Sequence, residues 1–444
     1  MKRKNIKSYA VIIGLAGLLF SCDDQLDIDP QQSVETGQAL ATSSDVEAAL
    51  VGAYDAAGDA DVYGGDIQFL SDLLGNDDDI AFVGTFAQPE EVYQKAILEN
   101  NSFVAATWLD SYRVINIANS VLANIDKVDA AKKTRVEGEA KFLRGTMYFE
   151  LVKLYGKAYV DGNPATNPGV PIVLTPTGLI TETSFVSRNS VAEVYAQILK
   201  DLTEAETLLP STNGFFATKW AAAGMLSRVY LQQEKYQEAG EAADRVIKSG
   251  RYRLADSYAQ AFNNTSNSPE DIFAIQVTSQ DGINELNTYY SQLQRADIEI
   301  QDQLIDQYDP EDERLNIYED GYTNKFDEQF AVIPILRLAE MYLTRAEASL
   351  RTGTNIGGVS AVADINTIRE RAGLGPVTTV TLAQVLQERK LELIFEGQLL
   401  ADIKRTKGTI GDTPYSANNL VFPIPQRERD ANTNLTQNPG YLGG

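Results

Sequence analysis

Glu388, Glu392 and Glu396 recur at four-residue spacing, which places three carboxylates on one face of a helix. Paired carboxylates are the machinery of glycoside hydrolysis. Arg389 and Lys390 are interleaved with them, however, and ion-pair networks commonly occupy such positions. Structural pairing is therefore the expected role, and the chain is not expected to be an enzyme. A second acidic run, Asn76-Asp77-Asp78-Asp79, falls in a polar stretch. It lacks the spaced Asp/Asn-Gly pattern of a calcium loop. No metal and no cofactor are expected, and a structural calcium is not indicated. Glu311-Asp312-Glu313 reads as a solvated acidic turn. Histidine is absent, which excludes Ser-His-Asp and Cys-His engines and imidazole metal sites. The one cysteine, Cys22, excludes an internal disulfide and a thiolate zinc cluster.

The elements that must position any site come from a chain of 444 residues with net charge −24. That charge argues against nonspecific nucleic-acid binding, which depends on Lys and Arg neutralising phosphates. The chain opens Met1-Lys2-Arg3-Lys4, with Lys7 and then an apolar run from Tyr9 to Phe20. This reads as a signal peptide over 1–21, too short in its apolar part to span a bilayer. Losing Lys2, Arg3, Lys4 and Lys7 with it takes the net charge from −24 to −28. Residues 22–44 are polar and acidic and read as a tether. A single domain over 45–444 is expected: an N-terminal half 45–250, a loop-rich insert 250–330 and a C-terminal part 331–444.

Helical periodicity marks most of that domain. Val136, Ala140, Leu143, Met147, Leu151 and Leu154 recur at steps of three and four, as do Val191, Val194, Ile198, Leu202, Ala205 and Leu209. The second run has a cap at Ser190 and a stop at Pro210. Thr42, Ser43 and Ser44 offer caps for a helix beginning near Asp45. Helices are also predicted over 105–126, 217–232, 236–248, 332–351, 358–371 and 382–403. Trp108 and Trp220 are expected in the core. Residues 57–100, 157–189 and 250–330 lack a strong helical period and read as long loops, which in compact domains are usually functional. Ser227, Tyr230, Ala239, Ala243 and Val246 have spacings similar to the tetratricopeptide helix–turn–helix repeat, so about four stacked pairs are expected.

The order of motifs in the last third is more specific. Leu336-Arg337-Leu338-Ala339-Glu340 runs on through Ala348. Ile365 to Leu374, Glu388 to Gly397, Phe422-Pro423-Ile424-Pro425 and Gln437-Asn438-Pro439-Gly440-Tyr441 follow. Together they resemble the SusD/RagB family of Bacteroidetes outer-membrane nutrient-binding lipoproteins. The N-terminal half resembles it through Leu26-Asp27 and through Trp108, Tyr112, Asn116 and Asn119. Leu19-Phe20-Ser21-Cys22 resembles a lipobox, which implies acylation of Cys22, and Asp23 to Asp29 looks like a surface-export signal. Gln398 stands where the family often has a basic residue. The resemblance implies a mainly α fold in which tetratricopeptide-like pairs support a loop-rich face. It also implies a cell-surface, lipid-anchored protein on the outer membrane that captures oligosaccharide and, as a lid, delivers it to a SusC-like TonB-dependent transporter. A helical-repeat scaffold for a peptide or protein partner, or peptide uptake as in RagB-like members, is the competing expectation.

Under that resemblance the ligand face needs aromatic platforms for C–H faces of sugars, with Asp, Asn, Gln or Arg for their hydroxyls. Two loop groups offer them. The first is Tyr63, Asp66, Asn76, Asp77, Phe82 and Phe86. The second is Asn287, Tyr289, Tyr290, Gln292 and Arg295, followed by Tyr318 and Tyr322. Arg295 is the one basic residue of these groups, so a neutral oligosaccharide is favoured over an anionic one.

Overall fold

Reciprocal caps start several of the helices. Thr42 accepts from the Asp45 amide while the Asp45 carboxylate binds back, opening α1 (Ser43–Ala57). The computed structural model describes residues 40–178, 180–280 and 282–444. The leader over 1–21, Cys22 and the tether through residue 39 lie outside the described residues, and the helix takes in Ser43 and Ser44, two residues assigned above to the tether. Next come α2 (Asp66–Gly75), strand β1 (Ile80–Phe82), α3 (Ala87–Tyr93), α4 (Ser102–Ala123) and α5 (Ala130–Tyr155). Then follow α6 (Val191–Leu208), with its Ser190–Glu193 capping box, α7 (Lys219–Gln232) and α8 (Tyr236–Lys248). The 250–330 segment holds β2 (Asp271–Ile275), α9 (Glu285–Tyr290), β3 (Ile298–Ile300), α10 (Asp302–Ile305), β4 (Tyr318–Glu319) and β5 (Tyr322–Thr323). The chain closes with β6 (Ile333–Arg337), α11 (Leu338–Thr352), α12 (Ala361–Arg371), α13 (Leu382–Glu392), α14 (Leu399–Arg405), a two-residue hairpin at 409–414, and α15 (Gln426–Ala431).

From α4 through α8 each helix packs on the next; α8 then packs on α11, and α11 on α12 and α13. This is the mainly helical, paired architecture expected. Small residues permit the close approaches: a Cβ added at Gly240 in α8 would fall 2.3 Å from Ile356 and 2.8 Å from Ala348. The strands form only two-stranded antiparallel pairs, β1–β3, β2–β6 and β4–β5 among them. Among the described residues no helix is long and apolar enough to cross a membrane.

Four expectations are corrected. Residues 57–100 are not one loop, because α2 lies within them. All ten of its residues are buried, polar Asp66, Gln68, Ser71 and Asp72 among them. Residues 332–337 are not helical: Ile333–Arg337 pairs with β2 as a strand. The helix expected over 382–403 breaks after Glu392, where Phe395 and Gly397 take positive φ of 62° and 70°. Trp108 is in the core, while Trp220 is only half-buried, with the Lys219 ammonium 4.3 Å from its ring centre.

The interior is tied together by charge. Arg337, fully buried at the end of β6, lies 3.0 Å from Glu270, 3.1 Å from Glu392 and 2.6 Å from Glu396. Arg371 binds Glu392 and lies 3.2 Å from Glu270. Arg314 reaches Asp312 (2.7 Å), Glu388 (2.6 Å) and Glu392 (3.4 Å), and Lys325 lies 2.8 Å from Glu396. The three glutamates are therefore ion-pair partners, with Glu396 in the turn beyond α13. A second group joins α7, α11, α13 and α14 through Arg228–Glu340 (2.6 Å), Arg389–Glu340 (3.1 Å), Arg389–Asp402 (2.8 Å) and Arg405–Glu347 (2.6 Å). The C-terminal motif clamps the rest. Asn438 donates to the carbonyls of Tyr155 (2.9 Å) and Phe422 (2.8 Å), and Tyr441 donates to that of Val421 (2.7 Å).

Burial pushes Glu392 toward the neutral acid, but Arg371, Arg337 and Arg314 outweigh it and hold the carboxyl down at about 2. In the unfolded chain it titrates in the ordinary carboxylate range, so its contribution to stability is present above that range and is lost as pH falls toward 2. Removing one member strands buried charge, so Glu392→Gln and Arg337→Met should each destabilise the fold by about 3–5 kcal/mol in urea unfolding. A loss below about 1 kcal/mol, the size of an exposed pair, would contradict the role assigned to this network.

Candidate functional site

The two loop groups converge. β1 pairs with β3 in the register Ile80↔Ile300 to Phe82↔Ile298. The Val83 amide continues the ladder by donating to the Asp297 carbonyl at 2.8 Å. The Glu285 amide donates to the Gly64 carbonyl at 2.9 Å. The approach is close enough that a Cβ at Gly65 would fall 2.6 Å from the Glu285 Cβ, and one at Gly84 2.6 Å from the Asp297 carboxyl carbon. Phe69 of α2 stacks on Tyr289 of α9, with ring centres 4.0 Å apart and planes 7° apart. The hydroxyls of Tyr289 and Tyr290 donate to Asp66 (3.3 Å) and Asp72 (3.0 Å).

These contacts internalise most of the residues expected to meet a ligand. Tyr63, Asp66, Asn76, Phe82, Asn287, Tyr289 and Tyr290 are all buried. Tyr63 donates to Glu150 (2.8 Å), Asn76 accepts from the Ile80 amide (3.0 Å), and Asn287 donates to the Phe326 carbonyl (2.7 Å). The Asp77 carboxylate accepts from the Gly411 amide. In this conformation the buried residues brace the loops and offer a ligand no surface, while Asp77 is half-buried. A short polar–aromatic pattern reads alike for a brace and for a contact, and only packing separates the two. Tyr322, half-buried, lies on β5 beside β3, where the Ile300 amide donates to the Gly321 carbonyl at 2.7 Å; Tyr318 is tied to Tyr308 by a 3.0 Å contact between hydroxyls.

What reaches the surface is Phe86, 42 % exposed, with Gln292 and Arg295. The Arg295 guanidinium lies 3.9 Å over the Phe86 ring and pairs with Asp297 at 2.9 Å, so it is an oriented planar donor whose charge is already balanced. Phe103 of α4 flanks Phe86 with ring centres 6.3 Å apart. Seven residues along the same face of α4, roughly 10 Å away along the axis, stands Asp110. Its carboxylate joins those of Asp59 and Asp61, with oxygens within 4.8 Å of one another. Arg113 lies 3.6 Å from Asp59 and 3.8 Å from Asp110. The triad offers hard oxygen ligands, and this guanidinium offsets only part of its charge.

The sequence reading missed Asp59, Asp61, Phe103 and Asp110. The i, i+7 spacing of Phe103 and Asp110 on a predicted helix was the available signal. Burial, then Asp110 and Asp59, push Asp61 up to about 6. Burial, then Asp61 and Glu285, raise Asp66 well above the ordinary aspartate range.

Comparison with known proteins supplies the family. The profile of a family described as starch-binding and associating with the outer membrane matches residues 24–231, and that of the SusD family matches 314–419. A putative sugar binding protein from Bacteroides vulgatus is 32 % identical, with TM-score 0.81 over 90 % of this chain and 99 % of that one. The chain belongs to the SusD family. SusD-like protein P2 of Formosa agariphila is 25 % identical over 99 % of this chain and 100 % of its own length. A laminarin binding SusD-like protein, 24 % identical, shares the fold at TM-score 0.74 over 90 % of this chain and 100 % of that one. SusD proteins are carbohydrate-binding and associated with the outer membrane. The residues Tyr112, Asn116 and Asn119 that resemble the family act as clamps. Tyr112 donates to the Pro171 carbonyl (2.8 Å), Asn119 to that of Val173 (2.8 Å), and Asn116 accepts from the Thr177 amide (2.7 Å).

Because Asp61 is raised in the folded state, its ionisation opposes folding as pH rises from the ordinary aspartate range through about 6. Asp61→Asn should therefore raise Tm more at pH 8 than at pH 5 in parallel thermal melts. An equal or larger gain at pH 5 would contradict the crowding of these carboxyls.

Proposed function

We propose that this SusD-family protein captures a neutral oligosaccharide on the strip of α4 between Phe86 and Asp110 and releases it unchanged to a SusC-like TonB-dependent transporter, over which it acts as a lid. The observation that carries this reading is the pairing of an exposed, oriented Phe86–Arg295 platform with a carboxyl cluster along one helix face. An aromatic ring accepts the C–H face of a pyranose, and the carboxyls and guanidinium bind its hydroxyls. The naming of the 32 % identical relative as a putative sugar binding protein supports it. The charge balance supports neutrality: Arg295 is paired within the site, and Asp59, Asp61 and Asp110 repel an anionic chain. Catalysis has no support in the acidic residues of α13, which are committed to buried arginines. The reading keeps Cys22 as the acylated anchor at the outer face of the outer membrane. It requires no metal or other cofactor.

Calorimetry with neutral gluco- and manno-oligosaccharides and with alginate oligomers tests it. Binding of a neutral glycan is expected, without release of new reducing ends on prolonged incubation. Phe86→Ala should weaken that binding roughly three- to tenfold, the worth of one aromatic contact. Binding of alginate alone, or cleavage of the glycan by the pure protein, would overturn the proposal.

A further inference from the structure

A second concavity of about 270 Å3 opens on α1. Val51, Tyr54 and Asp55 form one wall, Phe215 and Phe216 of the turn before α7 another, and Gln276 beyond β2 stands opposite. Phe215 is 57 % exposed, Val51 53 % and Phe216 36 %, so apolar surface is concentrated here where folding has not covered it. The ridge is fixed in place. Tyr54 packs on Phe216 with ring centres 4.8 Å apart, and its hydroxyl accepts from the Ala217 amide at 3.1 Å. The Gln276 amide is oriented by donating to Asn267 at 2.7 Å. Among the described lining residues Asp55 is the only charged one.

The chain joins this cleft directly to the acidic end of the α4 strip. Gly58 lines the cleft, and the next residue is Asp59 of the triad. We infer that the glycan site continues from Phe86 and Phe103, past Asp110, into the Phe215–Phe216 cleft. The face is then a groove for an extended chain of neutral hexoses with an aromatic platform at each end and carboxyls between them. This deepens, and rests on, the reading of the preceding section. The occupant follows from the walls: flat rings for pyranose C–H faces, one carboxylate and one amide for hydroxyls, and no cation to hold an anionic sugar.

Calorimetry with laminari-, malto- and manno-oligosaccharides from disaccharide to heptasaccharide tests the inference. In the unaltered protein, affinity for the preferred series should keep rising with chain length. Joint Phe215→Ala and Phe216→Ala substitution should remove that gain, weakening the longest chain roughly three- to tenfold while leaving the shortest binder unchanged. Phe215→Ala alone, at the more exposed ring, should give a smaller loss of the same kind, and Phe215→Tyr should retain the gain. Short chains that bind with no gain on lengthening, or a gain that survives the double substitution, would overturn this inference and leave the preceding one standing. Failure of every neutral chain to bind would overturn both.

Discussion

The arrangement depends on a group of charges taken out of water together. Arg337, Arg371, Arg314 and Lys325 face Glu270, Glu388, Glu392, Glu396 and Asp312 inside the C-terminal half. Desolvating such ions costs several kcal/mol each, and only close pairing with further hydrogen bonds offsets it. No subset can be buried alone at tolerable cost. The end of β6, the end of α12, the last turn of α13 and the loops carrying Arg314 and Lys325 must therefore arrive together. This constraint explains why residues far apart in sequence behave as one structural motif. It also takes Glu392 out of acid–base chemistry, since an acid held by three guanidinium groups is neither a proton donor near neutrality nor a free base.

The face proposed for the ligand is braced from this core. Lys325 donates to the Ile394 carbonyl at 2.6 Å. The Asp72 carboxylate accepts from the Gly397 amide at 3.1 Å, which joins the turn after α13 to α2. From α2 the connection passes through the Phe69–Tyr289 stack to α9, and along the β1–β3 ladder to the segment that presents Phe86 and Arg295. Each step is a buried contact, so the surface groups are held before a ligand arrives and little ordering is needed on binding.

Much of this was legible in the sequence, for identifiable reasons. Caps at Thr42 and Ser190 and apolar steps of three and four marked α1, α5 and α6. The order of motifs from Leu336 to Tyr441 pointed to the family. The fully buried α2 escaped because it is short, lies in a Gly- and Asp-rich stretch, and buries Asp66, Gln68, Ser71 and Asp72, which read as loop residues. The strand at Ile333–Arg337 and the break after Glu392 escaped because pairing with β2 and the ion-pair geometry override local propensity. The two loop groups pack on each other, but the sequence could not separate braces such as Tyr63, Tyr290 and Asn287 from surface groups such as Phe86. That distinction lies in the β1–β3 register, which no local pattern encodes.

Native-state hydrogen exchange, followed peptide by peptide, tests most directly whether the charged core holds the face preformed. The account predicts that amides of α2, β1, α9 and β3 exchange nearly as slowly as those of α11 and α13, and that Arg337→Met accelerates exchange in both regions at once. Fast exchange of α9 and β3 in the unaltered protein, or acceleration confined to the C-terminal half in the variant, would contradict it.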